Sequence, residues 1–481
     1  MYIDNEEKME NKRINGNDLL ALGYKENHAM GVALKINKKR LGFSREQMLA
    51  KFKGVLDHPE SYLNDKTFKP LAEVLLNIDA IEKEAISLNE TPDEYTVYGE
   101  DHIEEGAKKQ MDIAMKLPVT VAGALMPDAH QGYGLPIGGV LATNNAVIPY
   151  GVGVDIGCRM ALSVFDLPAD YLDTNHDTLK TVLMANTRFG AGQGYLKHER
   201  VDHAVLDNAL FDTHDFIRSL KDKAWTQLGS SGGGNHFVEF GVIDFAKADE
   251  ALGVARGKYL ALLTHSGSRG LGATIAGHYT KLAKDICKLP YVAQNLAYLD
   301  LDTAEGQEYW LAMNLAGDYA SACHEVIHNK IRTALGAELL VKVENHHNFA
   351  WKEQFEGEEV IVHRKGATPA SKDTMGIIPG SMATPGFLVR GKGEEAAINS
   401  ASHGAGRLMS RTQAIKTLAS ADLKTMLEQH GITLLGAGMD EAPMAYKDIH
   451  TVMSAQSDLV DVVATFSPKI VRMADDGSRE D

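Results

Sequence analysis

Residues 135–157 read LPIGGVLATNNAVIPYGVGVDIG. One apolar run, LPIGGVLAT (135–143), stops at an Asn pair, and a second, NAVIPYGVGVDIG (145–157), follows at once. Short apolar runs broken by Asn and Gly predict strand, turn and strand rather than helix. The same texture continues downstream. KYLALLTHSGSRGLG (258–272) predicts a strand that ends in a Gly-rich turn and enters a helix. EEVIVHRKGAT (358–368) and GFLVRGKG (386–393) predict strands, and residues 307–335 predict a long amphipathic helix. No Pro/Ser-rich linker interrupts residues 95–474, and no internal repeat is visible. These features predict an α+β fold, one large unit of mixed β-sheets flanked by helices.

The first 90 residues differ. They hold five glycines, whereas residues 123–157 hold eight. Segment 44–56, SREQMLAKFKGVL, carries a capping box, Ser44 with Gln47, and residues 70–88 space their apolar side chains helically. The expected organisation is a helical N-terminal extension (1–90), one large main domain (91–474) and a polar tail (475–481). Residues 35–53 include Lys35, Lys38, Lys39, Arg40, Arg45, Lys51 and Lys53, opposed only by Glu46. Such a run is either a solvated helix face or a contact surface for phosphates.

The 481 residues carry 49 Lys plus Arg against 65 Asp plus Glu, a net charge of −16, with 44% apolar residues. That balance excludes a wholly disordered chain and a globally basic nucleic-acid binder. Three cysteines exclude a disulfide framework. The opening MYIDNEEKMENKR has no apolar signal region, and no run is long enough to span a membrane. A cytoplasmic protein is expected. The charge is uneven: residues 361–420 hold eight Lys/Arg against three Asp/Glu, so the rest of the chain carries −21. A basic island of this kind suits a polyanion.

Five separate segments concentrate residues capable of chemistry. VDIGC (154–158) offers Asp155 and Cys158; GGGNHFVEF (232–240) offers Asn235, His236 and Glu239. THSGSRG (264–270) offers His265, ENHHNF (344–349) offers His346 and His347, and ASHGAGR (401–407) offers His403. Thiolate, carboxylate and imidazole are ligands for a divalent transition metal, and a thiolate can bridge two ions. A competing pattern is HEVIH, with His324, Glu325 and His328, the zinc-protease spacing. It lies on a helix whose spacing uses Leu311, Leu315, Ala322 and Ile327 for packing, so its histidines are expected to be structural. GxxxxGK[ST] is absent, which excludes a P-loop.

The motifs MPDAHQGYGLPIGG (126–139), VGVDIGC (152–158), GNHFVEF (234–240), HSGSRG (265–270), HHN (346–348), PGSM (379–382), SHGAGR (402–407) and PMAYKD (443–448) occur in order. Together they resemble the RtcB family of RNA ligases, from about residue 96 to 473. The resemblance implies a GTP- and manganese-dependent enzyme. It would join an RNA 3′-phosphate or 2′,3′-cyclic phosphate end to a 5′-hydroxyl end, in RNA repair or tRNA splicing. It implies guanylylation of His403, and two Mn²⁺ ions held by Asp155, Cys158, His236, His265 and His347. Guanylate contacts fall on Asn235, Glu239, His347, Pro379, Gly380, Ser381, Met382, His403, Gly404, Ala405 and Gly406. Asp128 and His130 match a motif without an assigned role.

Three positions depart from the family pattern. Met473 stands where a guanine-contacting Lys is usual, with Arg472 or Lys469 as substitutes; Gly386 replaces a Ser, and Arg159 a Gly. These leave room for a relative that modifies or caps RNA ends with another nucleotide preference, or for a non-ligating RNA-binding homologue. The RNA path is expected along 361–420, extended by 35–53.

Overall fold

The computed structural model describes residues 14–39 and 41–475. The charged opening 1–13, Arg40 and all but the first residue of the expected tail lie outside the described residues.

Two sheets form the body. The first contains β1 (Thr96–Val97), β2 (Thr120–His130), β3 (Ile137–Thr143), β10 (Asn348–Phe355) and β11 (Glu358–Lys365) in the order β1-β2-β3-β11-β10. The second contains β5 (Arg159–Pro168), β6 (Phe237–Phe245), β7 (Gly257–Ser266), β9 (Leu339–His346), β13 (Met375–Ile378), β14 (Gly386–Gly391) and β17 (Val460–Met473). Its order is β13-β14-β17-β6-β7-β5-β9, and β16 (Thr433–Leu434) pairs with β17. Two short pairs complete the set: β4 (Ala146–Val147) with β8 (Leu299–Asp300), and β12 (Ala367–Pro369) with β15 (Ser400–Ser402). The α+β expectation holds.

The hairpin expected at 135–157 does not form. β3 is flanked by β2 on one side and β11 on the other, so neither edge is free for the following run. That run shrinks to β4, which pairs with β8 instead. Pro149 then opens a helical turn, Pro149–Val152, where its missing N–H costs nothing.

The long helix runs Ala304–Leu335 and buries Tyr309, Leu315, Tyr319, Ala322 and Ile327. Leu311, expected to pack, is 50% exposed because it falls on the solvent side of the helical turn. In the extension, helices Gly16–Leu22, His28–Asn37, Arg45–Asp57, Lys69–Leu76 and Ile78–Glu84 surround Leu19, Phe52, Phe68 and Leu71. The Ser44 cap forms: Ser44 Oγ accepts from the Gln47 amide at 3.2 Å, and Gln47 Oε1 accepts from the Ser44 amide at 2.9 Å. The helical stretch expected over 70–88 breaks at Asn77 into two short helices.

The basic island of 361–420 is largely paired with acids. Arg364 is fully buried and grips Glu353 at 2.5 and 2.9 Å. Arg390 pairs with Asp249, Lys392 with Asp461, and Arg407 and Arg411 with Glu441. Acids distant in sequence neutralise most of the local excess. Five of its eight cations are thereby paired with acids, while Lys365, Arg407 and Arg411 line the cavity beside the candidate site. Removing Glu353 would leave a buried cation without its partner. Glu353→Ala is expected to lower stability by about 3–5 kcal/mol in chemical denaturation.

Candidate metal centre and adjoining cavity

Antiparallel register brings four turns to one end of the larger sheet. Arg159 pairs with Ser266 on one side and with His346 on the other, and Phe237 pairs with His265. Cys158 precedes β5, His236 precedes β6, His265 lies at the end of β7, and His347 follows β9. All four therefore share an edge. His347 is also the single residue between β9 and β10, which belong to different sheets. Strand alternation separates it from His346. His346 packs on Phe349 and Trp351, both with ring centroids 4.9 Å away.

Cys158 Sγ lies 3.3 Å from His236 Nε2 and 3.1 Å from His265 Nε2. His265 Nε2 is 3.2 Å from His347 Nε2, and His236 Nε2 is 3.1 Å from Asp155 Oδ2. Two groups result, Cys158/His265/His347 and Asp155/Cys158/His236, each with ligand atoms within 4.8 Å of one another. Cys158 is common to both. The donor set fits a divalent transition metal. His265 Nδ1 sits 3.1 Å from the Asn235 carbonyl; donating there, it leaves Nε2 bare toward the cluster. Asp155 Oδ2 is buried against His236 and Cys158. Burial holds the pKa of His265 and of His347 well below the usual imidazole value, which keeps both neutral. Burial also pushes Asp155 up, but His236 and Arg269 outweigh it and the net shift is downward.

Arg269 braces this cluster from behind. Its Nη2 is 2.8 Å from His236 Nδ1. The guanidinium occupies the space over Gly232 (φ +86°), where a Cβ would fall 1.1 Å from Nη1. Only glycine fits there.

His403 follows β15, and its ring centroid is 5.0 Å from that of His347. Its Nδ1 is 2.6 Å from Asp128 Oδ2, which also accepts the His403 amide at 3.2 Å. Asp128 is fully buried at the end of β2. Burial pushes its pKa up, but His403 and the neighbouring Lys447 outweigh that and hold the carboxyl ionised. The sequence reading had no role for Asp128; its signal was the MPDAH motif, but its partner lies 275 residues away.

A cavity of about 830 Å³ adjoins the cluster. Asp155, Cys158, His265 and His347 lie on its wall, whereas His236 sits behind Cys158, 1% exposed. Asn235, Glu239, Pro379, Gly380, Ser381, Met382, His403, Gly404, Ala405 and Gly406 line the remainder. Burial pushes the pKa of Glu239 well above its ordinary value. Lys365, Tyr133, Tyr150, Arg407 and Arg411 also line it and were not singled out as site residues from the sequence.

The three departures are now placed. Met473 lines the cavity beside Phe237 and Met382. Arg472 does not substitute for a cavity cation, because β17 alternates: its guanidinium turns to the Leu183, Met184 and Thr187 carbonyls. Lys469 is spent on the His430 carbonyl. Gly386 starts β14, and a Cβ there would lie 3.3 Å from Pro379 Cα. Arg159 is buried, bonded to Glu344 and to the Gly317 carbonyl. The HEVIH histidines are structural. His324 and His328 share Thr264 Oγ1 at 2.6 and 2.8 Å, and Glu325 faces His203.

These elements define a mixed-sheet α+β protein with a paired metal-capable centre set against a large cavity. A family model described as tRNA-splicing ligase RtcB matches residues 110–474. The chain belongs to the RtcB family. It is 35% identical over 392 residues to the RNA-splicing ligase RtcB of Escherichia coli K12, covering 76% of this chain and 93% of that protein. It is 30% identical over 448 residues to the tRNA-splicing ligase RtcB of Nanoarchaeum equitans, covering 78% and 94%. The RNA-splicing ligase RtcB of Mycobacterium tuberculosis is 32% identical over 426 residues, covering 74% and 98%. No helix among the described residues is long and apolar enough to cross a membrane.

Proposed function

We propose that the protein is an RNA ligase that joins a 3′-phosphate or 2′,3′-cyclic phosphate end to a 5′-hydroxyl end through a guanylylated His403. The observation that carries this reading is the Asp128–His403 pair beside the donor cluster. Asp128 engages Nδ1 and leaves Nε2 as the ring nitrogen able to attack phosphorus. In the first step a bond forms from Nε2 to the α-phosphorus of GTP, and the bond to the departing pyrophosphate breaks. The ionised Asp128 stabilises the charge that His403 gains. In the second step an oxygen of the RNA 3′-phosphate takes the guanylyl group, and the N–P bond breaks. In the third step the 5′-hydroxyl oxygen attacks that activated phosphorus, loses its proton, and releases GMP. A cyclic phosphate is first opened by water.

Manganese held by Asp155, Cys158, His236, His265 and His347 supplies, when bound, charge neutralisation for the triphosphate and the leaving pyrophosphate. The chain's own parts hold the nucleotide. The backbones of Pro379–Met382 and His403–Gly406 border the cavity together, with a Gly404 Cβ position only 3.3 Å from the Pro379 carbonyl. Asn235 and Glu239 face the same space. The reading also places the protein in the cytoplasm, where its three free cysteines would stay reduced.

The test is incubation with labelled GTP and Mn²⁺, followed by RNA carrying the two end types. A covalent adduct that discharges on RNA and yields a sealed product supports the reading; bound metal with no adduct overturns it. Asp128→Asn keeps the shape of the pair but removes its charge. It is expected to slow adduct formation on the order of 10²-fold or more while leaving GTP affinity nearly unchanged. Met473 favours one second reading, a changed base preference, since an apolar wall cannot pair with a guanine edge as a Lys does. Adduct formation with labelled ATP beside GTP decides it.

A further inference from the structure

The helical extension lies outside the residues matched by the family model, yet it is docked firmly on the catalytic body. Gly31 abuts Tyr291 so closely that a Cβ would fall 2.5 Å from the ring. The Ile86 amide donates to the Lys288 carbonyl at 2.7 Å, and Asn89 to the Lys116 carbonyl at 2.9 Å. Helical spacing puts His28 and Lys35 on the same face as Gly31, so both stand at this seam.

Across the seam stand Lys284, on the helix Arg269–Ile286, and Lys288, just beyond it. Lys284 is half-buried, and beyond that burial Lys35 lowers its pKa; Lys35 and Lys288 together do the same to His28. Cations have been brought together. Lys35, Lys284 and Lys288 have no ion-pair partner among the described residues, although Glu26 faces Tyr291 and Asp285 adjoins Lys284. Like charges crowded at a fixed seam oppose docking unless an anion relieves them.

The group also connects to the cavity. Lys284 Nζ stands 5.5 Å from the centroid of the Tyr150 ring, and Lys365 Nζ 5.0 Å from the same centroid. Tyr150 and Lys365 line the cavity, and at its lip Tyr133 is 70% exposed. Aromatic faces alternating with cations are the surface that single-stranded nucleic acid uses.

We propose that the extension and the helix Arg269–Ile286 together form a landing surface for the RNA sugar-phosphate backbone, with Lys35, Lys284 and Lys288 meeting successive phosphates outside the cavity. The inference rests on the RNA-joining reading above and assigns the extension a part in it. It meets the path expected along 361–420 at Lys365.

The experiment uses the full chain and a single-stranded RNA with a 3′-phosphate, long enough to leave the cavity. Binding is followed by fluorescence anisotropy across a salt series. The triple variant Lys35→Gln, Lys284→Gln, Lys288→Gln removes three charges and keeps a polar side chain at each position, including beside Asn295. Its affinity is expected to fall at least tenfold at low salt. The slope of log affinity against log salt is expected to flatten by about 2, at roughly 0.7 per phosphate for a single strand. Lys424→Gln, an exposed control paired with Glu428, should leave both quantities unchanged. Unchanged affinity and slope in the triple variant, with an unaltered thermal melt, overturn the proposal. So does an equal loss in the control. The labelled-GTP adduct of the unaltered chain is read separately, so failure of the landing surface is distinguishable from failure of the ligase reading.

Discussion

His403→Ala is expected to abolish the covalent guanylyl adduct and to reduce RNA joining by at least about 10³-fold. No neighbour can take over. His347, with its ring centroid 5.0 Å away, is 3% exposed and has its Nε2 among the cluster atoms. His130 also lies near Asp128, but its Nδ1 faces the Asp128 carbonyl, and burial lowers its pKa to about 4. The fold should tolerate the change, since the His403 side chain is 19% exposed and bonds only to Asp128. Denaturing electrophoresis of protein incubated with labelled GTP provides the readout. Label retained by His403→Ala would move the nucleophile elsewhere and remove the basis of the proposed mechanism.

Cys158→Ala is expected to have the second large effect. Cys158 is the one residue common to both donor groups, so one substitution weakens two candidate sites at once. A thiolate contributes charge as well as a bond, and alanine offers neither. Metal content after dialysis against Mn²⁺ should fall far below that of the unaltered chain. Adduct formation should drop on the order of 10³-fold. His236→Ala, which disturbs only the Asp155-containing group, should lose less metal than Cys158→Ala. Equal retention of metal by the unaltered chain and by Cys158→Ala would show that the thiol is not a shared ligand.

The site was legible to different depths. Donor types could be read residue by residue, because Asp155, Cys158, His236, His265 and His347 each stand in a Gly-, Ser- or Asn-containing turn beside an apolar run. Their convergence followed only from the family resemblance and from no local pattern. It depends on the register of β6, β7, β5 and β9, which is set by hydrogen bonds between segments up to 187 residues apart, as between Arg159 and His346. Asp128 had no visible role because its partner is distant in sequence. Arg269 was legible as part of a motif but not as the brace of His236, since its position over Gly232 is a property of packing. The HEVIH pattern shows the opposite error that spacing invites. Two histidines one turn apart were placed correctly on a helix, yet they face Thr264 and hold the helix to β7.

Charge separates the two sources of information most clearly. Local counting marks 361–420 as basic, and the count is right. Whether such charge is offered to a ligand depends on which acids fold against it, and Glu353, Asp249, Asp461 and Glu441 do so here. Strand direction decides Arg472 in the same way: the alternation of β17 sends Met473 to the cavity and Arg472 to the carbonyls behind it. By itself the sequence determined the α+β class, the helical character of the extension, the turn residues and the chemical inventory of the site. Each follows from short-range periodicity and from residue type. Only the tertiary structure decided where the 145–157 run pairs, which histidine joins Asp128, and where free positive charge reaches the surface. Those depend on contacts between distant segments, which no local pattern encodes.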